Sequence, residues 1–425
     1  MISSSKYFVF FVLFTVIQFQ TLKAQCGAGG IVLNSQAEVD NFNVTYPNCH
    51  RVLGNLSLEL TDITNLDGLS AIDSIDLSFN ITNNTNLIDI EGLHNLKFVQ
   101  DFTLANSPLL DNITGLRNLH SASNSFYLNN LFSLNDLTGL GRLTYARQFI
   151  IAACNKLTNL TGLDSLIETS TFTISENKNL ASLNGLPKDF SVSQLSIYSN
   201  PILKDLSTLI GLKDIYQLVL NKNKSLKNLN GLDSLNSISF LSIKSNDSLA
   251  SFPALSNLKT IKIALFLEDN LQLKDISGLQ NINFAKTDSI IIVNNPQLSF
   301  CSYPNFCKYL SDLTHVSRIN GNSLDCLNKS SILAKCLILT SQEINSNYKI
   351  NIFPNPTQGS IHISGLTNLS RIQIFNSQSQ LTINESTSKS ELDLSLEHLE
   401  DGLYFIRILD GKLNYFFGKI LVNRS

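Results

Sequence analysis

Between Leu60 and Ser299 the chain repeats one pattern about every 23 residues. Each unit reads [F/L/I]-x-[I/L]-x-x-N-x-x-L-x-x-L-x-G-L-x-x-L. Aligned on the asparagine, the units fall at Asn80, Ser107, Leu131, Cys154, Asn177, Asn200, Asn223, Asn246, Asn270 and Asn295, and the intervals from Leu131 to Asn246 are all 23. Gly-Leu pairs run in step at Gly68, Gly92, Gly115, Gly139, Gly162, Gly185, Gly211, Gly231 and Gly278. Two ladders kept in phase restrict the chain to a stack of similar coils, because a short repeat buries its apolar face only against its neighbours.

A period of this length with this Leu/Asn grammar is the signature of a leucine-rich solenoid. In each unit the apolar segment alternates with period two (Phe172-Thr-Ile174, Leu195-Ser-Ile197, Leu218-Val-Leu220, Leu241-Ser-Ile243), which predicts a strand. Too few residues remain for a crossover helix, so turns and extended pieces form the back, with Leu183, Leu186 and their equivalents pointing inward. About ten coils at the strand spacing of ~4.8 Å give a rod of roughly 48 Å carrying one parallel sheet. The inward asparagines are expected to satisfy buried main-chain groups where the chain leaves each strand. Cys154 occupies one of these rungs, where the pattern allows Asn or Cys.

Six cysteines remain: Cys26 and Cys49 before the repeats, and Cys301, Cys307, Cys326 and Cys336 after them, where a solenoid must cover its open ends. They predict one amino-terminal and two carboxy-terminal disulfides, and a quartet allows three pairings. Spacings of five, eighteen and nine intervening residues match no usual zinc pattern, and no His lies near Cys154 in sequence.

An oxidising compartment follows from the amino terminus. Lys6 precedes the apolar run Tyr7 to Phe19, and Leu22-Lys23-Ala24 offers a small residue for cleavage after Ala24, the layout of a secretory signal peptide. That run is too short to span a membrane, and no other transmembrane segment is expected. Gln25 stands where a lipoprotein signal would want a small residue before Cys26. A net charge of -3 on 425 residues, with both signs interspersed, argues against a nucleic-acid surface. The chain is expected to be a monomer without cofactor or metal.

Repeat grammar sets the domains: a signal peptide at 1–24, an amino-terminal cap at 25–59, the solenoid at 60–299, a disulfide cap at 300–340, a linker at 341–348 and a second domain at 349–425. The second domain alternates through Ile350-Asn-Ile352, Ser360-Ile-His-Ile363, Arg371-Ile-Gln-Ile374, Tyr404-Phe-Ile-Arg-Ile408 and Phe417-Gly-Lys-Ile-Leu421. These predict a small antiparallel sandwich, making the whole chain mainly β. Phe353-Pro354-Asn355-Pro356-Thr-Gln-Gly359, Ile372-Gln-Ile-Phe-Asn376, Leu392-Asp-Leu-Ser395, Gly402-Leu-Tyr-Phe-Ile-Arg-Ile408 and the closing Lys419-Ile-Leu-Val-Asn-Arg424 together resemble the type A C-terminal sorting domain of the type IX secretion system. The resemblance implies a secreted or surface-held protein of a Gram-negative cell, with the secretion machinery as a partner. Asn376-Ser-Gln-Ser-Gln380 departs from it, lacking the glycine usual in that turn.

Cys26, Ala37-Glu-Val-Asp-Asn-Phe42, Tyr46-Pro-Asn-Cys49 and the Gly-Leu repeats through to Cys301 and Cys307 resemble the receptor L-domain-like branch of leucine-rich solenoids. That resemblance implies a recognition surface without naming a ligand. The outward residue of each strand reads Asp76, Thr103, Tyr127, Ile150, Thr173, Ser196, Val219, Ser242, Phe266, Ile291, with Tyr198 two places further along its own strand. Tyr127, Tyr198, Phe266, Ile150 and Val219 are the candidates for holding a protein or glycan, since aromatic groups on a rigid sheet serve as anchors.

No catalytic residue is assigned, because the six histidines are scattered and no hydrolase or nucleotide-binding motif occurs. Asp62, Asn65 and Asp67-Gly68 resemble the start of a calcium loop, but no bidentate acid follows. Asp-Ser-[Ile/Leu] triplets, including Asp164-Ser165-Leu166, resemble bacterial O-glycosylation acceptors, and glycosylated Ser165 is an expectation.

Overall fold

A computed structural model of the chain describes residues 24–59, 62–312, 314–339, 350–366, 369–378, 380–409 and 415–424. The expected signal peptide, apart from Ala24, and the expected linker lie outside the described residues. Ala24 opens the first strand, Ala24–Cys26.

The repeats build one 15-stranded parallel sheet in chain order, from the Ala24 strand to Val316–Asn320. Neighbouring strands pair position for position: Leu195 lies between Phe172 and Leu218, and Ser196 between Thr173 and Val219. Inward residues therefore stack in columns. In many coils the return path bends through a single 3-10 turn such as Thr114–Leu116 or Thr138–Leu140.

Those turns carry the Gly-Leu pairs for a steric reason. A Cβ placed on Gly115 would lie 1.9 Å from the Ile90 carbonyl oxygen, one on Gly139 1.8 Å from that of Ile113, and one on Gly162 2.0 Å from that of Leu137. Each glycine thus marks a point where one coil's backbone touches the preceding coil's. Gly211 does not belong to this ladder. The phase-equivalent position is Thr208, whose hydroxyl is enclosed without a partner, and Ala254 takes the same position two coils later, after Gly231. Gly211 meets a different carbonyl, that of Lys188, at 2.0 Å from a would-be Cβ.

The asparagine ladder runs just inside the strand exits. Asn177 accepts the Cys154 N–H through Oδ1 at 2.9 Å and donates through Nδ2 to the Ile151 carbonyl at 3.1 Å. The main-chain N–H groups of Asn177, Asn200, Asn223, Asn246 and Asn270 each donate to the next asparagine Oδ1 at 3.1 Å. Asn295 continues the series by donating to Asn322 at 3.0 Å, so the ladder enters the carboxy-terminal cap. One step outward, the residue before each rung is left-handed, with φ between 52° and 59° from Asn83 to Asn294. Its N–H also donates to the following coil, as from Asn130 to Ala152 at 3.0 Å and from Glu176 to Tyr198 at 3.1 Å.

Asn80 is not a rung. It lies on the outward face of its strand, paired with Thr103, and the rung is Asn84, fully buried and donating to the Leu58 carbonyl at 2.9 Å. Both registers satisfy the repeat, since Ile75-Asp-Leu77-x-x-Asn80 and Phe79-Asn-Ile81-x-x-Asn84 have the same form. Burial separates them: Phe79 and Ile81 are buried, whereas Leu77 is 42 % exposed beside a register shift between Ile75 and Ser78.

Earlier coils hold a weaker ladder and a stronger apolar spine. Ser107 is buried with its hydroxyl unpartnered, and Leu131 brings no polar group. Burial pushes the Cys154 thiol up to about 12, and it lies against the Leu128 and Ala152 carbonyls. In the same coils Phe79, Phe102, Phe126, Phe149 and Phe172 stack through the core with ring centroids 4.9–5.6 Å apart. An outer series also links these coils, Asn130 to Asn106 to Asn83, through side-chain amides at 2.7 Å.

Disulfides close both ends. Cys26–Cys49 ties the first strand to its neighbour, while Cys301–Cys326 and Cys307–Cys336 secure the terminal helices Pro304–Ser311 and Lys329–Leu339. Phe306, Tyr309 and Leu310 of the first helix fill the end of the core. Asp62 and Asn65 hydrogen-bond to Gln36 and so help to cap the amino-terminal end.

The second domain packs a three-stranded sheet (Asn351–Phe353, Ser360–Ser364, Glu391–Ser395) against a four-stranded one (Leu381–Thr387, Ser370–Phe375, Gly402–Leu409, Tyr415–Val422). Ile361, Ile363, Ile372, Ile374, Ile406 and Ile420 form its core. The strands Leu381–Thr387 and Glu391–Ser395 are additional to those the alternation shows. In the turn that lacks glycine, Asn376 Oδ1 accepts the Gln378 and Gln380 N–H groups at 3.0 and 2.9 Å, and this side chain supplies the bend.

Two outcomes follow. Gly115→Ala should lower stability by roughly 2 kcal/mol or more, because backbone must move, while Gly141→Ala, whose Cβ would meet nothing nearer than 3.6 Å, should leave the urea midpoint almost unchanged. Asn177→Ala leaves the Cys154 N–H and the Ile151 carbonyl unpaired, so the same measurement should show a loss of roughly 2–4 kcal/mol. Equal midpoints for Gly115→Ala and Gly141→Ala would contradict the coil-contact account.

Candidate functional site

The outward face of the parallel sheet carries the candidate residues in straight columns, because the second halves of the strands pair position for position. The central column runs Asn80, Thr103, Tyr127, Ile150, Thr173, Ser196, Val219, Ser242, Phe266, Ile291 and Arg318. Asp76 does not belong to it, for the reason that displaced Asn80. Instead Asp76 takes a two-point ion pair from Arg51 at 2.8 and 2.9 Å, which holds the guanidinium above its usual range chiefly through that hydrogen bond.

Tyr127, Ile150, Val219 and Phe266 all lie half-buried in this column. They form two groups. Tyr127 and Ile150 are adjacent, and the Tyr127 hydroxyl donates to Gln148 Oε1 at 3.0 Å. Thr173 and Ser196 separate them from Val219, and Phe266 lies six strands beyond Tyr127, about 29 Å at the usual strand spacing. Tyr198 lies in a neighbouring column between Ser175 and Asn221, three strands from Tyr127.

Around Phe266 the structure assembles more than the repeat shows. Phe240 packs edge-to-face on Phe266 with centroids 5.1 Å apart, and Tyr216 and Ile263 stand 48 % and 37 % exposed beside them. Ile291 adjoins Phe266 in the central column and Val219 lies two strands before it across Ser242, so these apolar side chains gather on the later coils of the face. Sequence reasoning missed Phe240, Tyr216 and Ile263 because it read only the residue between two inward positions. These three lie one or two places earlier, where two residues separate successive buried positions, as Tyr216 and Gln217 do between Ile215 and Leu218. An aromatic or aliphatic residue preceding the Leu-x-[Ile/Leu] core by one or two positions was the available signal. Charges at the rim are largely paired, Lys244 with Asp269 at 3.8 Å and Arg318 with Glu268 at 3.4 Å, and such exposed pairs contribute little.

His50, His94 and His120 each turn Nδ1 towards a main-chain carbonyl in the turns at the strand entrances. Ser165 donates to the Gly141 carbonyl at 2.7 Å.

In the second domain the sorting motif holds the closing strand. Asn355 donates to the Lys419 carbonyl at 2.6 Å and accepts the Leu421 N–H at 2.9 Å, while the Thr357 N–H donates to the Leu421 carbonyl at 2.8 Å. Pro354 and Pro356 both follow cis peptide bonds, and Gly359 precedes the Ser360 strand. Arg424 Nη2 donates to the carbonyls of Leu396, Glu397 and Leu399.

Fold and surface together define a leucine-rich solenoid with an open sheet face and a separate carboxy-terminal β-sandwich. Residues 351–423 match the family described as the secretion system C-terminal sorting domain. That domain is the type IX sorting signal, and the protein is secreted or held at the cell surface of a Gram-negative bacterium. No curated protein matches the chain. Among solved structures it is similar to one titled "Crystal structure of TLR13-ssRNA13 complex", with 16 % identity, 68 % of this chain and 61 % of that chain covered, and a TM-score of 0.22. The chain thus spans about three fifths of that protein's length. Among the described residues no helix is long and apolar enough to cross a membrane.

Asn355→Ala removes both side-chain bonds to the closing strand and should destabilise the sorting domain by roughly 1–3 kcal/mol. Limited proteolysis of the full chain would report this as faster cleavage within residues 351–423 with the solenoid intact.

Proposed function

We propose that this protein is an exported recognition module that holds a protein or glycan ligand on the outward face of its parallel sheet and acts by binding, without turnover. The observation that carries this reading is the patch of Tyr216, Val219, Phe240, Ile263, Phe266 and Ile291. A rigid sheet that leaves paired aromatic rings half-exposed beside Tyr216 and Ile263 is organised for a partner, since large exposed apolar patches are uncommon on proteins that bind nothing. Tyr127 and Tyr198 form a second, smaller anchor region with polar tips suited to hydrogen bonding. The disulfide between Cys26 and Cys49 and the paired terminal cysteines support the receptor L-domain-like reading, in which adhesion to another surface is the natural role. Export through the type IX machinery would deliver the module outside the cell.

The test is binding of the purified, oxidised full chain to glycan and cell-surface protein arrays. Phe240→Ser/Phe266→Ser should reduce capture of the principal ligand at least thirtyfold, the loss of about 2 kcal/mol typical of a hot spot, with an unchanged melting midpoint. Tyr127→Ala/Tyr198→Ala should show whether the contact reaches the earlier coils. Absence of binding across both arrays, or full binding by the Phe240→Ser/Phe266→Ser protein, would overturn the reading in favour of a structural coat.

A further inference from the structure

A second surface lies along the strand exits, away from the apolar patch. Coils from Asn130 to Lys222 enclose an open groove of about 500 Å³ that runs along the stack, across the strands. Its charge is one-sided. Lys178, Lys222 and Lys224 line it against a single carboxylate, Glu176, and none of the three lysines has an ion-pair partner among the described residues. All three are exposed. The nearest paired lysine on this edge, Lys244, is engaged by Asp269 one coil on.

Lys178 and Lys224 stand at the same place in coils two apart, each two residues after the left-handed residue of its strand exit. At the strand spacing of ~4.8 Å this sets their backbones roughly 10 Å apart. Pro201 holds the equivalent place between them, and Phe132, 46 % exposed, holds it nearer the amino-terminal end. Along the edge the line reads Phe132, Asn155, Lys178, Pro201 and Lys224, so two ammonium groups flank one carbon surface and an amide separates them from the Phe132 ring.

We propose that this groove binds a linear, carboxylate-bearing polysaccharide. A pyranose presents one C–H face to carbon surfaces such as Phe132 and Pro201 and its hydroxyls to amides, and one residue of an extended glycan advances by about the width of one coil. An acidic group on alternate residues then meets Lys178 and Lys224. An extended acidic peptide advances ~3.3 Å per residue and turns successive side chains to opposite sides, so the residues three apart that match the lysine spacing face opposite ways. A single-stranded nucleic acid wants an aromatic platform for successive bases, and the groove has one ring. The site is separate from the patch around Phe266, so its occupancy does not depend on the function proposed above.

Calorimetry on the full chain tests it with galacturonate and mannuronate hexamers, a neutral glucose hexamer of the same length and poly-glutamate. At least one uronate hexamer should bind, weaken as salt is raised, and bind at least tenfold more weakly to Lys178→Ala/Lys224→Ala. Phe132→Ala should weaken it as well, whereas Phe240→Ser/Phe266→Ser should leave it unchanged. Failure of both uronates to bind, equal binding of poly-glutamate, or uronate binding indifferent to Lys178→Ala/Lys224→Ala would overturn the proposal.

Discussion

Direct contact between the backbones of successive coils is the constraint on which the rest of this structure depends. At each Gly-Leu turn the glycine backbone sits against a main-chain carbonyl of the preceding coil, where a Cβ would lie about 2 Å away. With that contact fixed, the strands fall into one register, and columns of like residues follow on both faces. The solenoid tolerates exceptions only where local geometry provides another route. Thr208 and Ala254 occupy the turn position without glycine, and Gly211 makes its own close contact three residues after Thr208.

Two interior devices share the work of joining coils, and they are distributed unevenly. From Cys154 onwards an almost unbroken asparagine series satisfies the main-chain groups at the strand exits. Earlier, at Ser107 and Leu131, that series fails, and five phenylalanine rings fill the core of the same region. Aromatic burial is large and undirected, while amide bonding is modest and directional. The early coils recover some direction through the outer amides of Asn83, Asn106 and Asn130. Mutations in the two halves should therefore fail differently, by cavity formation in one and by unpaired polar groups in the other.

Much of this was legible in the chain because periodicity reports on packing. The strands, the glycine contacts, the asparagine series, the grouping of the cysteines and the sorting motif around Phe353 to Gly359 all leave regular marks. Register at the first unit did not, since Asn80 and Asn84 end equally good copies of the pattern and only the burial of Phe79 and Ile81 decides between them. The candidate surface was legible in part. Tyr127, Val219 and Phe266 come from strict alternation, but Phe240, Tyr216 and Ile263 face outward where two residues separate successive buried positions, a break that alternation does not encode. Pairing within the terminal cysteine quartet required three dimensions, because its loops close around a helix that the repeat pattern does not contain.

The ladders at the strand exits also have a polarity. Main-chain N–H groups of the rungs, and of the left-handed residues outside them, donate towards the carboxy-terminal neighbour. A stack cut at its amino-terminal end would free Oδ1 acceptors and the Nδ2 groups that reach back to the preceding coil, and a side-chain amide can turn to water. One cut at the other end would leave unpaired donors, the rarer and costlier defect. The two ends are therefore not equivalent, and the heavier closure, with Asn322 and two disulfides against one, stands where the donors would otherwise point into nothing. Closure at the carboxy-terminal end thus supplies the acceptor for the last main-chain donor of the asparagine series, at Asn295.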